Sequence, residues 1–547
     1  MNLMFLAQSG MNSAQAGLGI IGNNIANGLN DGYSRRIIML GEAGGKTTGY
    51  GFFGYGVQID GVQRAYDGFI NDQLRGAYSE FSSIKSHYEG VSKIDNMLGD
   101  TTNNISIGFG SIFECMQKMS SDPVSLAARQ ETYAQFKSLS YKFQSDSKTL
   151  NGLEKSTNTG IDQSVESINN CLQQIATLNE QIEKIHNQTG NLPADLLDSR
   201  DSQLKKLSAE VDIRVNENPT TGRVDVTLAN GMPLVNGNQT YGLESRPSAA
   251  NPNINEVFYI DASGNSLLLD ESKFTGGKLG GLFTFRNEDL VTTRNELDQL
   301  ALQMANEFNT VNAQGYDLNG EPGGDIYNIP NPVPLANRNN TSNTALDVTY
   351  TNISDVNAID YTLVFKGPGE SDWQVTTSNG RTITPEIGDN GELLFEGIAV
   401  KPNGVPEAGD SFLLNPVSGA AAGISMAISD GNQIAASSSP DMDDQSNNEN
   451  LLALLAVKDK PMIGKSTFAE AYASMVSSIG NKTHELKSTG DTSAKTLEEF
   501  QFQQQSLTGV DMAEEYINLA MFSYYYQANS QVLQTAMTIF DTILSIR

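Results

Sequence analysis

The two ends of this chain constrain its fold more than anything between them. Met4, Ala7, Met11, Ala14, Leu18, Ile21 and Ile25 recur at alternating steps of three and four, the spacing of a coiled-coil seam. The run breaks at Gly28 and Gly32. The far end answers it: after Gly509, a final helix presents Val532, Ala536, Ile539, Ile543 and Ile546, with Leu533, Met537, Phe540 and Leu544 beside that stripe. One helix cannot bury so wide an apolar face alone. A helical hairpin within the chain would cover part of it, and contacts between copies would cover it too. The two pairings are compatible.

More helix lies inward. Ile70, Leu74, Ala77, Phe81, Ile84, Tyr88 and Val91 form a second seam. Ile161, Val165, Ile168, Leu172, Ile175 and Ile182 form a third, with Asn179 where the next seam residue is due; an isolated Asn in a seam costs stability and fixes register. Phe468, Tyr472, Met475 and Ile479 open a C-terminal counterpart, and Leu290, Leu297, Ala301, Met304, Phe308 and Val311 share a face of a central helix. Elsewhere the period changes to two. Val211, Ile213 and Val215, then Val224, Val226 and Leu228, alternate around a turn at 219–222 and predict a hairpin. Short strands are predicted at 346–350, 361–365, 373–376, 393–395 and 412–414, punctuated by Gly, Pro, Asn and Asp.

The fold class is therefore α+β: a multi-domain rod, with long N- and C-terminal helices forming coiled-coil and helical-bundle domains and mainly-β domains inserted in the middle. The expected division is a terminal segment 1–40, a helical bundle 41–208, a small β domain 209–280, a returning helix 281–325, an outer β domain 326–437, the bundle again over 438–505, and a terminal segment 506–547.

Charge and composition narrow the function. Among 547 residues, 64 acids face 35 bases, a net charge of −29, which argues against a nucleic-acid or anionic-membrane partner. The uncharged run 516–540 is long enough to span a bilayer but carries Asn518, Gln527, Asn529, Gln531 and Gln534, which hydrocarbon penalises. The first 34 residues hold no Lys or Arg, so the positive region of a cleavable signal peptide is missing. The two cysteines, Cys115 and Cys171, support neither a disulfide framework nor a four-ligand zinc site. Both are expected buried on helices. The three histidines, His87, His186 and His484, are far apart in helical patterns.

Three motifs tempt and fail. Gly49-Tyr50-Gly51-Phe52-Phe53-Gly54 fits a dinucleotide fingerprint, but a strand at Val57-Gln58-Ile59-Asp60 follows where a helix is required. Gly41-Glu42-Ala43-Gly44-Gly45-Lys46-Thr47 is one residue short of a P-loop and is expected to be a flexible turn. Asp317-Leu318-Asn319-Gly320 places its glycine two positions early for a calcium loop. The acidic run Pro440-Asp441-Met442-Asp443-Asp444 reads as a solvated linker. No catalytic residue, metal site, cofactor or small-molecule substrate is expected.

The residues Ser9-Gly10-Met11-Asn12-Ser13-Ala14-Gln15-Ala16, Asn23-Asn24-Ile25-Ala26-Asn27 and Gly32-Tyr33-Ser34-Arg35, then Gly54-Tyr55-Gly56-Val57, Arg64, Tyr66-Asp67 and Phe69, resemble the N-terminal signature of flagellar axial proteins. Asn30-Asp31 replaces the Thr-Pro usual before Gly32-Tyr33. The C-terminal signature is similar too: Ser506-Leu507-Thr508-Gly509-Val510-Asp511, Glu514-Glu515 and 526–536. Two internal segments narrow the resemblance to the hook-associated protein 1 family: Asp195-Leu196-Leu197-Asp198-Ser199-Arg200-Asp201, and Gly280-Gly281-Leu282 with Arg286 and Arg294-Asn295-Glu296-Leu297.

That resemblance implies an extracellular, non-enzymatic subunit joining hook to filament. It implies export through the flagellar type III channel without a cleavable signal. The ends would fold only on assembly into a homo-oligomeric ring, and the ring would contact the hook protein and other hook-associated proteins and support filament growth. A dedicated export chaperone would cover the C-terminal helix. Met11, Leu18, Ile21, Ile25, Val532, Ala536, Ile539, Ile543 and Ile546 are the residues expected to carry subunit contact. Each buried Leu or Ile stabilises by about 1.5–3 kcal/mol, so several together offset the ordering entropy of a disordered segment. Two other readings stay open: a flagellin-type filament subunit, and an adhesin or enzyme whose activity sits in the β domains around Trp373 and Tyr361.

Overall fold

The computed structural model describes residues 2–545 except 31, 368, 370 and 371. Ile546 and Asp31 thus lie outside the described residues. Helix α1 (Asn2–Asn27) ends one residue before Gly28, and a long two-stranded ribbon follows. Strands β1 (Arg36–Glu42) and β4 (Val57–Arg64) pair at its base, and β2 (Gly45–Thr48) and β3 (Gly51–Gly54) at its tip. The ladder continues between them through Ala43 N–H to Gly56 O and Tyr55 N–H to Gly44 O. The stretch 41–47 is therefore mostly strand, not the flexible turn expected. Gly49–Gly54 forms the tip and the returning strand, and strand β4 follows as expected.

Helices α2 (Gly68–Leu98), α3 (Ile105–Ser121), α4 (Leu126–Thr189) and α5 (Ala194–Glu210) form the body. Each of the first three starts on a polar cap: Asp67, Asn104 and Ser125 accept the N–H of the third residue on. At 64 residues, α4 is about 96 Å long and serves two cores. Its first half puts Phe136, Leu139, Phe143 and Leu150 against α2, α3 and the helices from the C-terminal half. Its second half puts Ile161, Val165, Ile168, Leu172 and Ile175 against α5 and the first β unit. Gly190, left-handed at φ 71°, ends it. Cys115 and Cys171 are buried on α3 and α4.

The first β unit opens with the expected hairpin, β5 (Ile213–Glu217) against β6 (Val224–Leu228). β7 (Pro233–Asn236) and β8 (Gln239–Thr240) complete that sheet; β9 (Leu243–Pro247), β10 (Asn255–Ile260) and β11 (Ser266–Leu268) form a second. Asn179 does not set helix register. Its Nδ2 donates to Val224 O at 2.8 Å and Gly237 O at 2.7 Å, and its Oδ1 accepts from Val224 N at 3.2 Å, so it clamps the first sheet to α4.

The central helix begins earlier than its apolar face indicated. α6 (Gly277–Thr284) runs through a π-turn at Phe285–Leu290 into α7 (Val291–Asn312). Phe285 fills the space left by Gly90 of α2, and buried Arg286 reaches Asn255 O at 2.6 Å and Glu271 at 2.5 Å. His87 meets Asp289 of the same turn at 2.5 Å.

In the outer unit, short strands β12 (Tyr327–Asn328), β13 (Leu335–Ala336) and β14 (Ala345–Tyr350) precede β15 (Tyr361–Phe365), β16 (Trp373–Thr377), β17 (Thr382–Ile383), β18 (Glu386–Ile387), β19 (Leu393–Phe395), β20 (Ile398–Asn403), β21 (Ser411–Leu414) and β22 (Ser425–Met426). They make a five-stranded sheet, β13-β21-β15-β16-β17, and a four-stranded one, β14-β20-β19-β18. Tyr361 of the first packs on Phe395 of the second, ring centroids 5.4 Å apart. Both Tyr361 and Trp373 are buried, so neither offers a binding patch. Short helices α8 (Ala420–Gly423) and α9 (Glu449–Ala456) return the chain to the body. α10 (Phe468–Thr508), opened by a Thr467/Glu470 capping box, then runs back along α2, and α11 (Met512–Ser545) ends the chain.

The outer unit is tied to α7 through buried polar groups. Asp298, 2 % exposed, accepts from Ala421 N at 2.8 Å and Gly419 N at 3.3 Å. Burial pushes its carboxyl up to about 6, against the pull of those two N–H groups and Arg294. A carboxyl raised in the folded state contributes stability that is full below its ordinary value and is lost as pH rises through the folded value. Asp298→Asn is therefore expected to remove a loss of about 2 kcal/mol between about pH 4 and pH 7. Denaturant midpoints of variant and unchanged chain at the two pH values test this; an identical pH slope in both would contradict it.

Candidate functional site

α1 and α11 lie antiparallel. Gly10 sits against Asn529, Gly17 against Phe522, and Gly28 against Met512. A Cβ at Gly10 or Gly17 would collide with those side chains, so the two glycines are the holes into which Asn529 and Phe522 fit. The buried line on α1 is Ala7, Gly10, Ala14, Gly17, Ile21 and Asn24. It keeps the expected three-and-four spacing but is displaced from the large residues.

The expected contact residues separate accordingly. Ile21 and Ala536 are buried in the pair. Met11, Leu18 and Ile25 are half-buried on its flank. Val532, Ile539 and Ile543 stand exposed at 39 %, 50 % and 63 %. The pairing within the chain thus exists and leaves most of the α11 stripe bare. Gly10, Gly17 and Asn24 fall outside the seam expected from the sequence because they carry no apolar side chain; small residues at the same period were the available signal.

At the inner end of the pair, the segments that carry the family resemblance converge. Asn24 donates to Arg36 O at 2.9 Å and to Glu515 at 3.1 Å, and accepts from Arg36 N at 3.0 Å and the Tyr33 hydroxyl at 2.8 Å. Arg35 pairs with Glu514 at 2.6 Å, and its backbone N–H donates to Thr508 O at 2.7 Å. Arg64 reaches Asp201 at 2.6 Å and Asp198 at 3.1 Å, with its guanidinium 4.2 Å from the Tyr66 ring centroid. Arg200 holds Glu217 at 2.6 Å. The hub thus joins α1, β1, β4, α5 and the start of α11.

Its electrostatics follow from burial. Burial pulls the Arg64 guanidinium down, but Asp201 and Asp198 outweigh it and hold the group above its ordinary value. Burial pushes Asp201 up against the pull of Arg64 and Arg200. Tyr33 is raised by burial as well. Among the described residues, none of the apolar clusters includes a side chain of α1, the ribbon or α11. The hub contacts that tie the terminal pair and the ribbon to the body are polar, among them Ser34 N–H to Asp198, Arg64 to Asp198 and Asp201, and Arg35 N–H to Thr508 O. No group of His, Cys, Asp and Glu among the described residues is arranged to hold a metal, and no described helix is long and apolar enough to cross a membrane.

Removing Arg64 takes the closest cation from the half-buried Asp198 and Asp201, which costs up to about 3–5 kcal/mol, the order for breaking a buried pair. Arg64→Met is expected to destabilise the chain by that order in equilibrium unfolding, and Asp201→Asn in the same background to recover part of it. Additive losses in the double variant would show that the pair is not coupled.

Comparison with known proteins agrees with this geometry. The family model described as flagellar hook-associated protein FlgK helical domain matches residues 91–327, and that of the flagellar hook-associated protein 1 D2-like domain matches 335–416. The flagellar basal body rod FlgEFG protein C-terminal model matches 503–546. Flagellar hook-associated protein 1 of Salmonella typhimurium strain LT2 is 39% identical over 550 residues, covering 99% of each chain. Its namesake from Escherichia coli K12 is 39% identical over 547 residues, again covering 99% of each. That of Bacillus subtilis strain 168 is 25% identical over 356 residues, covering 59% of this chain and 69% of its own. The structure of the flagellar hook junction protein FlgK from Burkholderia pseudomallei shares the fold, with a TM-score of 0.71 at 24% identity, covering 80% of this chain and 100% of that one. The chain belongs to the flagellar hook-associated protein 1 family.

Proposed function

We propose that this chain is a structural subunit of the extracellular bacterial flagellum, placed where hook meets filament, and that it works by assembly and not by catalysis. The observation that carries this reading is the state of α11. It is paired with α1 on one side, and beyond that pairing a set of large apolar side chains, Ile517, Met521, Tyr524, Ile539 and Ile543, stays exposed among polar ones. An exposed apolar patch of this extent, rimmed by polar residues, marks a surface that another chain covers.

Several features support a finer account. Copies would form a ring through the terminal segments 1–40 and 506–547, with Met11, Leu18, Ile25, Val532, Ile539 and Ile543 in the contacts between them and Ile21 and Ala536 holding the pair within each. Ile546 would extend the same stripe. The helical body over 41–208, 281–325 and 438–505 would bridge the hook protein and the other hook-associated proteins, with the β units 209–280 and 326–437 facing outward, and the ring would offer the surface on which filament grows. The chain would travel unfolded through the flagellar type III channel, and an export chaperone would cover α11 beforehand. The polar hub suits such a sequence: the body has apolar cores that contain no residue of α1 or α11, so it would fold without them. A flagellin-type subunit finds no support in full-length relatives that are all hook-associated protein 1, nor an adhesin or enzyme in a buried Trp373 and Tyr361.

Deleting 1–27 or 512–547 is expected to abolish incorporation into isolated hook–filament preparations while the remaining chain keeps a cooperative unfolding transition. Immunogold label against 326–437 on the unchanged protein is expected in a narrow zone between hook and filament. Normal incorporation of either truncation, or label along the whole filament, would overturn the proposal.

A further inference from the structure

The ribbon 36–64 presents a surface that the terminal helices do not explain. Tyr50, Phe52, Phe53 and Tyr55 at its tip and Met39 and Ile59 lower down are exposed. Phe52 and Phe53 are successive strand residues and so face opposite sides, yet they are 57 % and 50 % exposed. At the tip, neither face is covered by the described residues. An isolated two-stranded hairpin is at best marginally stable, and both outer edges of this one lack a partner strand among the described residues, the arrangement that invites another chain.

Its position indicates which chain. Arg36 lies beside Asn24 and Val57 N–H donates to Ser9, so the ribbon runs along α1 towards its N-terminus, and β2–β3 extend past the α1 start by at least a few residues. α11 overruns α1 at the same end. Its pairing of Gly10 with Asn529 and Gly17 with Phe522 places the first turn of α1 near Ala536, and α11 continues to Ser545. The exposed ribbon tip and the bare α11 stripe thus lie towards the same end of α1.

Charge selects the occupant. Residues 1–64 carry four bases (Arg35, Arg36, Lys46, Arg64) and three acids (Asp31, Glu42, Asp60), a net +1 inside a chain of −29, so the remainder carries −30. The run 516–540 of α11 has no charge at all. Two copies approaching through the remainder meet a net excess of like charge; through the ribbon and the uncharged run of α11 they do not.

We infer that the ribbon is a second self-association element: the aromatic tip of one copy packs on the outward α11 stripe of the next. This contact is heterologous, a different patch on each side, and propagates around a ring or along a helical lattice. The inference rests on the proposed assembly role and adds to it a segment outside both terminal helices.

The test uses the full chain in flagellated cells. A photo-crosslinking phenylalanine analogue at Tyr50 or Phe52 is expected to give, on illumination of hook–filament preparations, an adduct of two copies whose linked peptide lies within 512–545. Adducts with a different protein, or none from a chain that has been incorporated, would overturn the inference. The variant Tyr50→Ser, Phe52→Ser, Phe53→Ser changes only exposed side chains and is expected to lower incorporation by about ten-fold or more, three rings' burial being at stake. Ile539→Ser with Ile543→Ser separates the two ideas. If that helix variant fails to incorporate and the ribbon variant incorporates normally, the ribbon inference falls alone. If both incorporate normally, the assembly reading falls with it.

Discussion

Asn529 and Phe522 enter α1 only because residues 10 and 17 have no side chain, and the arrangement of the chain ends depends on that close approach. Once α1 and α11 lie side by side, residues more than 490 positions apart in the chain become neighbours: Asn24 reaches Glu515 with a sequence separation of 491. Every hub contact that involves the start of α11 needs the helices at this spacing. A seam of large residues would hold the axes farther apart and move Glu515 away from Asn24. The large residues instead lie on the flanks, where they are free to meet other surfaces. A seam of small residues therefore does two things at once. It fixes the pair and leaves the apolar area outside it.

The body is built on the opposite principle. Phe109 stacks on Phe468 with centroids 4.0 Å apart, and Phe136 meets Phe308 edge-on at 5.0 Å, so α3, α4, α7 and α10 share one aromatic centre although they come from distant parts of the sequence. That centre closes the chain on itself before either terminus is needed. Dense apolar packing gives the body rigid cores of its own, while the hydrogen bonds and ion pairs of the hub bring directionality without much net burial. The contrast separates what must be stable alone from what becomes stable in company.

How far the sequence disclosed this follows the same division. Helices of the body were legible because their seams are large apolar residues at steady spacing; Phe468, Tyr472, Met475 and Ile479 are all buried. The strands 361–365 and 393–395 were legible because alternation and flanking turn residues agree. Of the ribbon only the strand at Val57–Asp60 was legible, since Gly41, Gly44, Gly45, Gly49, Gly51 and Gly54 interrupt any alternation before it. Asn179 was legible as unusual but not in its role, because its partners are backbone atoms of a sheet 45 and 58 residues away. The hub was legible only piecewise. Asn24, Arg64, Asp198 and Glu515 each stood in a recognised segment, and nothing in a linear string says that the four segments meet.

That meeting bears on why the family signature is divided between distant segments. Arg64 alone would be a buried cation, and Asp198 and Asp201 alone would be two buried carboxylates; each is costly without the others. Asn24 without Arg36 and Tyr33 would leave a buried amide unpaired, and an unmade bond costs more than a made one contributes. A hub of this kind is satisfied only when β4, α5, the α1 end and the α11 start are all in place. It therefore reports on the completeness of the fold at the point where the terminal pair leaves the body. The geometry of that departure is set by hydrogen bonds with narrow angular tolerance, so it also fixes the direction in which the apolar faces of α11 and the ribbon point. In a chain whose remainder carries a net −30, that direction matters, because the nearly neutral ribbon and the uncharged run of α11 are where approach costs least electrostatically.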